Sequence, residues 1–166
     1  MKYNYSHHIS LIPLCKEHIF ALVSQLRKED LAEMHSAYGM PAMEVLQKCW
    51  ERSIYSVALV CGDRVLAVGG VEPDSLLGGR GCVWAWTGKE VEKHKKSFWK
   101  ASLRVIKKLR QSYPLLYAVC DERYPASLRY VCRLGGKAVG EKFRLYDKKT
   151  YFQVYQFDDS VKGKNE

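Results

Sequence analysis

No run of apolar residues in the sequence approaches the ~20 that a helix needs to cross a bilayer. The opening residues, MKYNYSHHIS, hold nothing like the apolar stretch of a secretory signal. Both absences predict a soluble protein of the cytoplasm with no membrane partner. The six cysteines, at 15, 49, 61, 82, 120 and 132, form no CxxC pair and mostly sit inside apolar runs. That spacing argues against a zinc site or disulfide frame and for reduced thiols in a reducing compartment. His7 and His8 are adjacent, but no carboxylate or third histidine lies near them in sequence, so no metal site is expected. Internal repeats and linkers are absent as well.

What is present is enough chain, 166 residues at 47% hydrophobic, for one domain with a sizeable core. A single domain over 1–157 and a disordered polar tail over 158–166 are expected. The net charge of +9 is unevenly placed. Residues 89–149 carry 17 Lys/Arg against 6 Asp/Glu, a net +11, and the rest of the chain carries 10 against 12, a net −2. Such asymmetry points to a polyanionic ligand or partner: a nucleotide cofactor, a nucleic acid or an acidic protein surface.

Residues 1–6 read as a loose end and His8 to Leu14 as a first strand. Helices are expected from Cys15 to Leu26, from Lys28 to Ala37 with a left-handed cap at Gly39, and onward from Pro41. Tyr55 to Cys61 and Arg64 to Val71 read as a hairpin about Gly62-Asp63, and Gly69-Gly70 signals a bulge or a close backbone approach. Later come a covered strand at Leu115 to Cys120, a helix opened by Pro125, and an antiparallel pair at Lys137 to Tyr146 and Thr150 to Phe157.

The central stretch is Gly81 to Leu109. Cys82 to Thr87 is too short for a helix and too continuously apolar for a half-exposed strand, so it reads as a covered strand. From Ser97 the period becomes helical, with Phe98, Ala101, Val105, Ile106 and Leu109 on one face and lysines and arginines on the other. The first N–H groups of a helix lack intrahelical partners and carry the positive end of its dipole. With Lys93, His94, Lys95 and Lys96 crowded there, the helix start suits an anion, most naturally a phosphate, although a Lys-rich solvated face has the same composition.

The order strand, helices, three strands, helix, strand, helix, two strands resembles the GNAT superfamily of N-acetyltransferases over residues 8–157. The Ala126-Ser127-Leu128-Arg129-Tyr130 and Leu134-Gly135-Gly136 segments stand where that family has its Asn-x-x-Ala-Ile helix and Leu-Gly-Phe ending. More narrowly, the WAWTG strand end, the KHKKSF helix start and the YPLLYAVCDER stretch are similar to a group of phage-encoded GNAT-like proteins, some described as virion components. The resemblance implies an α/β (α+β) fold with a mixed, mostly antiparallel central sheet, a splayed parallel pair in its middle and helices on both faces.

It also implies acetyl-CoA as cosubstrate and an amine of a small molecule or protein as acceptor. The acyl-CoA would lie between the strands at Cys82 and Leu115, touching Trp84, Trp86 and Thr87. Its pyrophosphate would lie at Lys93, His94, Lys95, Lys96 and Ser97. Lys96 and Phe98 fill both glycine positions of the family's phosphate loop, Arg/Gln-x-x-Gly-x-Gly/Ala, so the backbone cradle those glycines allow is altered. Tyr130, then Tyr124, is the candidate acid for the leaving thiolate, and Glu72 the candidate base. The filled glycines equally suit a GNAT fold kept as a binding protein with a host or virion protein partner, and a homodimer is open in either case. A nucleic-acid binder stacking bases on Trp84, Trp86, Tyr117 and Tyr124 ranks last, because both tryptophans fall in a covered strand.

Overall fold

Apolar runs of period two become seven strands of one sheet, and 3.6-residue periodicities become five α-helices. The computed structural model describes residues 8–157, so the start at 1–6 and the tail at 158–166 lie outside the described residues. In order, the elements are β1 (Ile9–Pro13), α1 (Lys16–Val23), α2 (Lys28–Tyr38), α3 (Ala42–Arg52), β2 (Tyr55–Cys61), β3 (Arg64–Pro73) and β4 (Arg80–Thr87). A 3-10 stretch (Lys89–His94), α4 (Lys95–Ser112), β5 (Leu115–Asp121), α5 (Pro125–Arg133), β6 (Gly136–Arg144) and β7 (Tyr151–Phe157) follow.

The strands lie in the order β1-β2-β3-β4-β5-β7-β6, all neighbours antiparallel except β4 and β5. A parallel neighbour needs a long crossover, and α4 supplies it. The parallel ladder is short: Arg80 pairs Leu115, Gly81 pairs Leu116 and Cys82 pairs Tyr117, after which the strands part. The mixed sheet with a splayed parallel pair is therefore as the resemblance implies.

Alternation sorts the strand residues onto two faces. On one, Ala58, Val65, Val68 and Trp86 pack with Ile19, Leu22, Met34, Val45, Leu46 and Cys49 of α1–α3. On the other, Val71, Leu116, Ala118 and Tyr155 pack with Ile106 and Leu109 of α4, and Leu128 and Val131 of α5 lean on the same cluster. Each fully buried aliphatic side chain contributes about 1.5–3 kcal/mol, which makes these two layers the main source of stability. The six cysteines are unbridged, as expected.

Some boundaries move for physical reasons. Gly69 and Gly70 mark close approach and no bulge: a Cβ would stand 2.8 Å from the Trp84 carbonyl and 2.5 Å from that of Tyr55, while the β2–β3 register shifts at Leu59 and Val60 instead. The α4 helix begins at Lys95, not Ser97. The charged connection before it, KEVEKH, is itself a 3-10 turn pinned by buried Val91, whose single apolar side chain is too little to show a period.

Beyond its third pair with β5, β4 must satisfy its outward backbone groups elsewhere. Asp30 of α2 does this at the strand's end, accepting from the Thr87 N–H at 3.0 Å and the Thr87 hydroxyl at 2.9 Å while pairing with Arg27 at 3.0 Å. The Arg27 N–H in turn donates to the Thr87 carbonyl at 3.1 Å. Replacing Asp30 by Ala leaves the buried Thr87 N–H without its acceptor and the half-buried Arg27 guanidinium with Glu92 alone at 3.1 Å, and should cost about 2–4 kcal/mol in urea unfolding. Gln47→Ala on the exposed side of α3 should stay within about 0.5 kcal/mol. A loss for Asp30→Ala no larger than that would show that the clamp does not support β4.

Candidate functional site

Directly paired residues share a face of a sheet. Glu72 of β3, Cys82 of β4 and Tyr117 of β5 therefore form one row on the α1–α3 side, the last row before the split opens. A buttress stands beside it. The Tyr117 hydroxyl donates to Asp74 at 2.7 Å, Arg80 pairs with Asp74 at 3.0 Å, and the Arg80 guanidinium lies 4.7 Å from the Tyr117 ring centre. Burial and the Asp74 carboxylate together hold the Tyr117 phenol far above its usual range.

Glu72 is half-buried, and burial pushes its carboxyl above the ordinary value, with Arg52 and the Cys49 thiol pulling the other way. Among its neighbours, burial raises the Cys82 thiol to about 12 and the Cys49 thiol to about 11. Both stay protonated near neutrality and are poor nucleophiles. The Val119 backbone, just past the ladder on β5, acts on the Cys82 thiol against the effect of burial, so a thiol stands at the tip of the split.

Trp84 and Trp86 point to the same side as Cys82. Trp86 is buried against Tyr38 with ring centres 6.4 Å apart, and Trp84 donates from Nε1 to Ser53 at 2.8 Å. Their rings thus belong to the α1–α3 layer, and it is the backbone between them that borders the gap. Ala85, midway along β4 and turned to the α4–α5 side, is exposed, which makes it an open floor in an otherwise covered strand.

The gap leads to the start of α4. Lys93 is exposed and pairs with Glu90 at 3.4 Å, and exposed Lys95 pairs with Glu92 at 2.9 Å. Such exposed pairs contribute little and are easily exchanged for another anion. His94 and Ser97 are half-buried there and Lys96 is exposed. Tyr130 lies deeper, between α4 and α5. Its ring stacks on Phe98 at 5.3 Å, meets Trp99 edge-on at 5.5 Å, and its hydroxyl donates to Ser102, while burial pushes it up to about 12. Phe98, in one of the two filled glycine positions, thus bridges α4 to α5. Tyr124, half-buried just before α5 with Arg123 5.3 Å from its ring centre, stands at the other arm's end.

Glu33 is a residue that sequence reasoning passes over. The α2 helix crosses the open end of the split: Asp30 grips Thr87 at the end of β4, and Ser36 accepts at 3.0 Å from Arg123, itself paired with Asp121 at the end of β5. Six residues of helix span about 9 Å, close to twice the spacing between paired strands, so the arms stand apart by about the width of one absent strand. Glu33 lies midway. Burial, then the neighbouring Asp30 and Asp121 carboxylates, raise it to about 8. The only advance signal was the like-charge spacing of Asp30 and Glu33 on one helix.

No family model matches the chain, and no curated protein does. Solved structures do. A probable acetyltransferase of the GNAT family from Chromobacterium violaceum is 17% identical with a TM-score of 0.70, covering 92% of this chain and 88% of its own. A microcin self-immunity acetyltransferase solved with acetyl-CoA and AMP is 13% identical with a TM-score of 0.67, covering 89% and 91%. A Bacillus subtilis acetyltransferase solved with CoA is 12% identical with a TM-score of 0.60, covering 91% and 97%. The fold is that of the GNAT acetyltransferases.

The Arg52 guanidinium favours the charged form of Glu72, so removing it should push that carboxyl higher still. In Arg52→Met, the titration midpoint of the Glu72 carboxyl, followed by carbon-13 NMR of labelled glutamate, should move upward. An unchanged midpoint would mean that Arg52 does not face this carboxylate.

Proposed function

We propose that the protein is an N-acetyltransferase that moves an acetyl group from acetyl-CoA to an amine of a small molecule or protein. The observation that carries this reading is the split between β4 and β5, one strand wide, closed at its tip by the Glu72–Cys82–Tyr117 row and ending at the basic start of α4. An extended thioester fits such a gap as a missing strand would, its reacting end toward Glu72 and its phosphates toward Lys93, Lys95 and Lys96. Where a glycine-lined cradle would offer backbone N–H groups, this chain offers lysine side chains, which act as point charges with less geometric definition.

In this reading an ammonium gives its proton to the Glu72 carboxylate, whose raised pKa suits a base working near neutrality. The freed nitrogen lone pair attacks the thioester carbonyl carbon. A C–N bond forms as the C–S bond breaks, the departing sulfur takes a proton from a tyrosine hydroxyl, Tyr130 or Tyr124, and the second proton released by the nitrogen restores that hydroxyl through solvent. Outward N–H groups of β4 polarise the carbonyl during attack. The acceptor enters from the α1–α3 side, where Glu72 lies.

One observation supports a second reading, a GNAT fold kept for binding a host or virion protein. The Phe98–Tyr130 stack ties α4 to α5 through one of the two filled glycine positions, so the residue that removes the phosphate cradle is built into the packing. Calorimetric titration with acetyl-CoA and with CoA separates the two, since no heat at millimolar ligand would leave only the binding protein.

If acetyl-CoA binds, replacing Lys93 and Lys96 together by alanine should weaken it by roughly 1–3 kcal/mol, and more at low salt than at high. Lys107→Ala, farther along α4, is the control, and an equal loss there would reduce the attraction to diffuse charge. Glu72→Gln should lower kcat by about 10²–10⁴ while leaving acetyl-CoA affinity unchanged. A Glu72→Gln enzyme of full activity would remove Glu72 from the mechanism.

A further inference from the structure

Over much of the molecule a cation has an acid beside it: Arg27 with Asp30, Arg64 with Glu90, Arg80 with Asp74, Lys142 with Glu122. The layer formed by α4 and α5 breaks that pattern. Helix α4 carries seven Lys/Arg and α5 two, and neither contains an Asp or Glu. Lys96, Lys100, Arg104 and Lys107 of α4 and Arg129 and Arg133 of α5 are all exposed, and among the described residues none of the six pairs with an acid. Phe98, Val105 and Leu109 turn α4 to the sheet, so its 3.6-residue period sets the four cations in one row on the outward side. At 1.5 Å per residue that row is about 16 Å long. The Phe98–Tyr130 stack and the Tyr130–Ser102 hydrogen bond hold α5 alongside, with Arg129 and Arg133 one turn apart on it.

The helix does not itself favour this arrangement. Lys96 and Lys100 stand toward the positive end of its dipole, and like charges four residues apart repel. An external anion relieves both, and the rest of the face narrows its kind. Leu103 is the one large apolar side chain exposed on either helix, and Phe98 and Trp99 are turned in against Tyr130. A helix that lies in a bilayer surface needs an apolar face, and a protein interface has an apolar centre poor in lysine. Single-stranded nucleic acid is held on exposed aromatic rings. A duplex asks only for cations, since it presents one phosphate per about 1.7 Å of its axis. We infer that the outer face of α4 and α5 is a docking surface for a nucleic-acid duplex, gripped through its phosphates without reading sequence. The face turns away from the split, where a nucleic acid would meet carboxylates, and the binding does not depend on the acyl-transfer reading.

The test is fluorescence anisotropy of a fluorescein-labelled DNA duplex titrated with the full chain. The dissociation constant should be about 10⁻⁶–10⁻⁴ M at physiological salt, alike for two unrelated sequences. With five cations engaged beyond Lys96, log K should fall against log salt with a slope of about −4.5. Replacing Lys100, Arg104 and Lys107 together by alanine should bring the slope to about −2 and weaken binding about tenfold or more at low salt. Replacing Lys16, Lys28 and Lys48, one on each of α1, α2 and α3, removes the same charge and should leave slope and affinity nearly unchanged. An RNA duplex of equal length, run in parallel, identifies which of the two supplies the backbone. Four results overturn the inference: no anisotropy change at low salt, equal losses in the two triple variants, tighter binding to a single strand, or binding to phosphatidylserine vesicles in place of the duplex.

Discussion

The structure depends on how β4 ends without a neighbour. Strands in a sheet interior satisfy their backbone through the ladder on both sides, and β4 loses one side after Cys82. Asp30 replaces the missing strand at Thr87 with one carboxylate that takes both the N–H and the hydroxyl. Without such a substitute the two arms would be expected to close, because closing restores hydrogen bonds at little cost in packing. The gap is thus a stabilised feature of the fold, and the helix that stabilises it also forms part of its rim.

This arrangement divides the site between two chemistries. Toward the α1–α3 layer are the carboxylates, Glu72, Asp30, Glu33 and Asp121, each raised or engaged in a different way. Toward the start of α4 are lysines whose charges are only loosely paired at the surface. The net +11 of residues 89–149 is therefore not a uniform basic face. It is opposed across the gap by acid from the chain's first half and from the end of β5. A ligand with an anionic tail and a cationic acceptor meeting it from the other side matches both signs, whereas a nucleic acid would meet the carboxylates as well as the lysines.

Much of the fold was legible because it rests on periodicity. Phe98, Ala101, Val105, Ile106 and Leu109 fix α4, and the apolar runs at 82–87 and 115–120 fix the parallel pair it connects. The start of α4 was misplaced by two residues because Lys95 and Lys96 carry no apolar signal, and the 3-10 turn before it is held by Val91 alone. Glu72 could be chosen from its place at a strand end. Its partners could not, since Arg52 and Cys49 reach it from a helix about twenty residues earlier. Glu33 was invisible because its character comes from what surrounds it: the same residue on an isolated amphipathic helix would be an ordinary solvated acid. Trp84 and Trp86 show the reverse case, prominent in the sequence as ligand contacts and turned in the fold toward the core.

The position of β7 has a consequence for the order in which the molecule can assemble. Although last among the described strands, β7 lies between β5 and β6 and pairs with both. Until it emerges from the ribosome, β5 is held only by three residues of parallel ladder, and β6 has no strand partner at all. The half built from β1 to β4 can form earlier, from neighbours close in sequence, while the half carrying β5, α5 and β6 waits for β7. During synthesis, then, the arm that makes the split a split is the last to arrive.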